Sequence, residues 1–374
     1  MKVNYIVSGI RRSVFFENTV SLLRDRGIDI TVIYIGHPED EFPVYLKNND
    51  FNFFVVTTKS FLFYPLYIYK IYAILRRLSP DIVNTHLITA NILGLPAAKF
   101  SGIKNRVIFR HSGKTPKGNW KISLYDKFSS IFSNYAIANT ITTKQVMIEE
   151  GFPETKIAVI NYGFNIARFS QPDNSINALL IEKYNPDKKR PVIGAIARPV
   201  EWKGIQYIIP AYKHILNKYP NSLLLLFNFS ETDSFSDTIN DSLSKLPALS
   251  YKKVLFERNV YDLYSLFDIF IHVPVDPYCE AFGQVYIEAL AAGRSSIFTM
   301  SGVANDFVED NKNALVVSYR NSEQIAEAIV TFIENPKIAT TLAEQGRKEV
   351  SERFSLDKYI ANLIDTYNRI LNVS

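Results

Sequence analysis

The chain has 374 residues, 47% of them hydrophobic and 21% charged, with one cysteine and a formal net charge of +5. That length suits two domains rather than one core, the composition is that of a soluble globular protein, internal disulfides are excluded, and no apolar run approaches the roughly 18 residues of a membrane span. Residues 1–170 carry 21 Lys and Arg against 12 Asp and Glu, while the remainder carries 21 against 25. A basic first half attracts an anionic substrate or an anionic membrane surface; nucleic acid is not expected, because no nucleic-acid-binding module is readable.

Met1 leads directly into the strand-like VNYIV, with no leader pattern, so a cytoplasmic location is expected, with a peripheral place on the inner face of the membrane left open. From there, apolar β-branched runs predict strands over 3–7, 30–35, 53–57, 82–85, 107–109, 135–138 and 157–160. Helical periodicity predicts helices over 14–26, 63–78, 90–101, 120–133 and 142–150 between them. Within this half, Lys59–Leu78 carries nine consecutive apolar or aromatic residues, Phe61 to Tyr69, with cations at both ends. The pattern suits a helix lying at a membrane interface, and equally a buried helix of the first domain.

Residues 171–190, rich in Pro, Asn and charge, are the expected linker between a domain over 1–170 and a second over 191–354. The second half repeats the alternation, with strands over 192–197, 222–228, 252–256, 268–272, 295–299 and 314–317. Helices are expected over 203–218, 235–246, 260–266, 283–292, 321–334 and 337–351. A last helix, within 355–374, could cross back to the first domain. Strand–helix alternation of this kind predicts an α/β protein of two doubly wound, Rossmann-like domains, whose ligands lie beyond the carboxyl ends of the strands, in a cleft between facing domains.

The chemistry concentrates in DIFIHVPVDPYCEAFGQVYIEALAAGRSS, residues 268–296. It reads as strand, loop, helix. A helix starting near Phe282 or Gly283 offers its free first-turn N–H groups to a phosphate. Glu288 then sits about one turn inside, roughly 6–7 Å along the axis, within reach of a ribose beside a pyrophosphate. Glu280 falls in the loop on the other side of that phosphate. Taken alone, the two glutamates read more readily as a solvated helix carboxylate and a loop charge. Counter-charges come from IGAIARPVEWKG, where Arg198 and Lys203 flank the loop after the first strand of the second half and can both meet phosphate oxygens. Gly204 permits close approach there.

In these residues the chain resembles the retaining GT-B glycosyltransferases of family 4, many of which act on bacterial surface polysaccharides. EAFGQVYIE is similar to that family's two glutamates separated by seven residues, and GAIARPVEWKG to its arginine and lysine-glycine loop. NRVIFRHSG, INYGFNIARF, VLFERNVYDLYSLFDIFIHV and SGVANDFVEDNKNALVV match in order as well, so the likeness spans nearly the whole chain. It departs at VSGIRRS, where paired glycines are usual and only Gly9 is present. The resemblance implies a nucleoside-diphosphate-sugar donor of UDP or GDP type and a glycan or lipid-linked acceptor. Glu288 would hold the ribose hydroxyls and Glu280 those of the donor sugar; Arg198 and Lys203 would neutralise the pyrophosphate, and His111 would face the donor sugar. Phe282, Gly283, Gln284, Gly9 and Arg258 complete the expected donor-binding set. His86 is a second candidate, whereas His272 reads as an ordinary surface or core histidine. No metal and no cofactor are expected. A nucleotide-sugar epimerase of the same fold and a non-catalytic sugar-nucleotide-binding protein stand as alternatives.

Overall fold

Every paired strand in the computed structural model, which describes residues 1–113 and 127–372, runs parallel to its neighbours. The strands form two sheets. The first comprises β1 (Lys2–Ser8), β2 (Asp29–Ile35), β3 (Asn52–Val56), β4 (Ile82–His86), β5 (Asn105–Arg110), β6 (Tyr135–Ala138) and β7 (Ile157–Val159), in the order β3-β2-β1-β4-β5-β6-β7. In the second, β8 (Val192–Ile196), β9 (Leu223–Phe227), β10 (Tyr251–Val254), β11 (Ile269–His272), β12 (Ser295–Phe298) and β13 (Leu315–Val316) are ordered β10-β9-β8-β11-β12-β13. Strands buried on both faces read as continuous apolar runs: Leu223–Phe227 is LLLLF and wholly buried. In both sheets the order reverses at the first strand, which gives each unit a switch point of the Rossmann-like kind.

The chain divides into Met1–Gly163 with Leu356–Ser374, and Phe164–Ser355. Residues 171–190, expected as a linker, are therefore folded into the second unit, where Asn174–Tyr184 is a helix. Asp173 accepts hydrogen bonds from the Ser175 and Ile176 N–H groups, an N-cap that the Asn and Pro content of the stretch concealed. The boundary also moves from 170 to 163, because Ile166–Ser170 packs on the helix Gln284–Ala291. The predicted helix over 120–133 lies partly outside the described residues.

The final helix, Leu356–Asn372, buries Tyr359, Ile360, Leu363, Thr366, Tyr367 and Ile370, a 3.6-residue stripe. In the first unit the Tyr367 hydroxyl meets that of Tyr5 on β1 at 2.8 Å and accepts from the Asn84 side-chain amide of β4 at 2.6 Å. Replacing Tyr367 with Phe strands two buried polar groups. A loss of about 1–3 kcal/mol is expected, read as a fall of several degrees in the first unit's melting temperature by calorimetry; an unchanged melting temperature would contradict it.

Candidate functional site

Glu280 is the centre of the arrangement in the second unit. Its carboxylate is buried and accepts a hydrogen bond from His272 Nε2 at 2.8 Å and another from the Lys203 ammonium. Each partner has a structural reason to be there. His272 is the last residue of β11, so its side chain is delivered at the carboxyl end of a central strand. Lys203 closes the short 3-10 turn Glu201–Lys203 that follows β8, the neighbouring strand.

Two backbone contacts fix the distance between these loops. The Val275 N–H donates to the Trp202 carbonyl at 3.1 Å. At Gly204, φ is +77°, and a Cβ there would lie 1.9 Å from the Val273 carbonyl oxygen. The sequence suggested that this glycine clears space for a ligand; the structure shows that it clears space for the strand end. From the other side the segment 299–303 clamps the Glu280 loop. The Glu280 N–H donates to Ser301 Oγ at 3.1 Å, the Val303 N–H to the Phe282 carbonyl at 2.8 Å, and Thr299 Oγ1 to the Pro274 carbonyl at 2.7 Å.

A carboxylate buried this deeply survives as an anion only if paired. Burial pushes the Glu280 carboxyl up, but the hydrogen bond that His272 donates and the Lys203 ammonium outweigh it and hold it at about 2. His272 is shifted the other way: burial lowers its pKa, and Glu280 only partly restores it. A neutral imidazole donating from Nε2 to a charged carboxylate satisfies both. Sequence reasoning passed over His272, because a histidine ending an apolar strand carries no signal until its partner eight residues later is seen beside it.

Glu280, Lys203 and His272 line a cavity of about 300 Å³ together with Arg198, Trp202, Asn228, Gly283 and Gln284. Arg198 is exposed and stands 3.6 Å from Asp233. Gly283, with φ +86°, caps the helix Gln284–Ala291, whose first-turn N–H groups therefore start beside Glu280. Five of the expected donor-site residues, Arg198, Lys203, Glu280, Gly283 and Gln284, thus meet at one cavity.

The remainder are elsewhere. Phe282 is a packing residue: its ring is buried and stacks on Phe164 at 5.9 Å, so its side chain does not line the cavity. Glu288 lies one turn into the helix and accepts the Tyr264 hydroxyl at 2.6 Å; burial raises its pKa against that hydrogen bond. Tyr264 is a partner that the sequence did not disclose. Arg258 is exposed in the loop after β10.

Gly9 and His111 belong to the first unit. Gly9 follows β1, with φ +67° and open space where a Cβ would be. His111 follows β5, and both of its ring nitrogens are engaged: Nε2 lies 3.0 Å from His86 Nδ1, and Nδ1 lies 2.6 Å from the Tyr162 hydroxyl. Burial lowers the His111 pKa to about 3, and burial together with the neighbouring His111 lowers that of His86. The pair is therefore neutral at ordinary pH, and a ring nitrogen of His111 could take up a substrate hydroxyl only by giving up a bond it already makes. His86 Nε2 is buried with no hydrogen-bond partner among the described residues. Among those residues no three His, Cys, Asp or Glu side chains cluster in a way that could hold a metal ion.

Comparison with known proteins adds an independent line. The family model described as Glycosyl transferases group 1 matches residues 177–349, and that described as Glycosyltransferase Family 4 matches residues 13–168. The capsular polysaccharide biosynthesis glycosyltransferase CapM of Staphylococcus aureus is 28% identical over 312 residues, covering 82% of this chain and 81% of CapM. In fold, the crystal structure of a glycosyltransferase from Rickettsia africae ESF-5 is similar with a TM-score of 0.84 at 21% identity, over 100% of this chain and 99% of that one. Anabaena Alr3699/HepE, solved in complex with UDP-glucose, is similar with a TM-score of 0.80 at 19% identity, over 99% of this chain and 100% of that one.

Proposed function

Because the chain belongs to the GT-B glycosyltransferases of family 4, its two family models together spanning most of its length, we propose that it moves a sugar from a nucleoside-diphosphate sugar, UDP-linked in the first instance, to a glycan or lipid-linked acceptor at an anionic membrane surface, in the synthesis of a cell-surface polysaccharide. The observation that carries the donor half is the buried Glu280 held between His272 and Lys203, beside the N-terminal end of the helix that begins at Gln284. HepE crystallised with UDP-glucose, and CapM serves capsular polysaccharide synthesis; both support this choice of donor and product class.

In this reading Lys203, Arg198 and the first-turn N–H groups take the diphosphate. They stabilise the negative charge that grows on it as the anomeric carbon–oxygen bond breaks and the electron pair leaves with the phosphate oxygen. Lys203 then shares its charge between Glu280 and the phosphate. Glu280, fixed as an anion, accepts donor-sugar hydroxyls, and Glu288 accepts those of the ribose. The acceptor hydroxyl attacks on the face from which the diphosphate departs, its proton passing to the departing phosphate oxygen, so configuration is retained. The charge is met by side chains and backbone, and the scheme needs no metal.

A thermal-shift series with UDP-, GDP- and ADP-sugars tests the donor. A ligand that binds only the native state stabilises it by about 2.7 kcal/mol at 100 times its Kd, so one base should raise the melting temperature and the others should not. No shift with any of them would defeat the reading. Conversion of the sugar nucleotide without acceptor would point instead to an epimerase.

A further inference from the structure

From Phe51 to Pro80 the chain carries four cations, Lys59, Lys70, Arg76 and Arg77, and no acidic residue. In the structure this stretch holds β3, a short 3-10 turn over Phe61–Phe63 and the helix Tyr64–Leu78. One face of the helix is committed to the core: Tyr67, Ile71 and Leu75, one turn apart, are buried, and the helix packs on its neighbour Ile88–Phe100.

A helix that has buried one apolar face ordinarily turns a polar one outward. Here the outward face is apolar too. Phe61 and Leu62 are each 73% exposed, Phe63 51%, Leu66 48% and Tyr69 64%. The outer stripe then continues through exposed Lys70, Arg76 and Arg77. Large contiguous apolar surface of this kind marks an interaction site. Its composition selects the partner: aromatic and aliphatic side chains at one end, a tyrosine between, and cations along the same face with no carboxylate among them. That is the pattern of a helix lying in the headgroup region of an anionic bilayer.

The topology says which edge of the unit this is. All seven strands are parallel, and Phe61 follows the carboxyl end of β3, so the aromatic turn lies on the same edge as Ser8, His86 and His111. Four strand spacings separate β3 from β5, about 20 Å. We propose that the Phe61–Tyr69 face docks on an anionic lipid bilayer, turning the carboxyl edge of the first unit toward the membrane from which a lipid-linked acceptor would enter. This rests on the membrane-surface setting proposed above, but its test is independent of donor and turnover.

The experiment is co-sedimentation of the full-length protein with large vesicles of phosphatidylglycerol and phosphatidylcholine against vesicles of phosphatidylcholine alone, in low and high salt. Binding is expected to anionic vesicles in low salt, and to weaken at least tenfold in about 1 M salt, where the screening length is near 3 Å. The variant Phe61→Ser, Leu62→Ser, Phe63→Ser should lose at least tenfold in partitioning with at most a small fall in melting temperature, since Phe61 and Leu62 are largely in water and Phe63 is half in it. Charge reversal, Lys70→Glu with Arg76→Glu, should abolish the salt dependence. Phe100→Ser, 66% exposed at the far end of the neighbouring helix and so on the opposite edge of the sheet, should bind like the parent. The proposal is overturned if the parent fails to sediment with anionic vesicles in low salt, if the triple variant binds as well as the parent, if Phe100→Ser is the change that abolishes binding, or if the triple variant instead abolishes a concentration-dependent dimer, which would make a second copy of the chain the occupant.

Discussion

Glu280→Gln is expected to lower sugar transfer by at least about 100-fold, on the scale of removing one preorganised polar group from a catalytic site, while circular dichroism still reports a folded protein. The glutamine keeps the size of the side chain and can still accept from His272, but it removes the charge against which Lys203 is held. Lys203 then loses its anchor in the cavity, and in the proposed scheme the donor-sugar hydroxyls lose a charged acceptor. Residual transfer within threefold of the parent would remove Glu280 from the site. The same variant reports on pH. The Glu280 carboxyl sits at about 2 in the folded protein against an ordinary value of 4.5. Its contribution to stability is therefore complete above about 4.5 and disappears as pH falls through 2. Urea unfolding should show the parent more stable than Glu280→Gln at neutral pH, with the gap closing between pH 4.5 and 2. A gap that stays constant over that range would show that the buried ion pairing is not its source.

Gly204→Ala is the second large effect, and it acts on the fold before the chemistry. The added methyl would fall 1.9 Å from the Val273 carbonyl oxygen and 2.9 Å from its carbon, both backbone atoms at the end of β11, and φ is +77°. Neither obstacle can rotate away, so the turn carrying Lys203 must separate from the loop carrying Glu280. Gly27 provides the control: its φ is +78°, yet nothing lies within 4 Å of the position a Cβ would take. Backbone strain alone, about 1–2 kcal/mol, should be the cost at Gly27. At Gly204 the clash adds to it, and a total on the order of 4 kcal/mol or more is expected. Denaturant midpoints of the two variants measure the difference. Equal losses would mean that the close approach of the two loops is not structurally required.

Much of this organisation was legible in the chain. All thirteen strands of the two sheets fall within a few residues of their predicted ranges; the central ones read as apolar runs because burial on both faces leaves no room for polar interruption, whereas the edge strand β10, YKKV, is only partly buried. The donor-side motif was equally readable: Glu280 outside a helix, Gly283 capping it and Glu288 one turn inside follow from local rules of helix starts. The linker was misjudged for the same local reason. Asn, Pro and charge suggested an open connection, but they also cap and face a short solvent-side helix, and only packing distinguishes the two.

By itself, then, the sequence determined the alternation of strands and helices, the place of the donor-side motif at strand ends, and a set of candidate residues. These depend on neighbours within about one helical turn or one loop. The tertiary structure decided what each candidate touches. It joined His272 to Glu280 and Tyr264 to Glu288, withdrew Phe282 into the core, and engaged both nitrogens of His111 inside the first unit. It also resolved the aromatic helix, which the sequence left as either buried or interfacial: one face is buried and the other is exposed. Partnership of this kind depends on distance in space, and the strand crossovers that bring residues 203, 272 and 280 together leave no mark on the spacing between them.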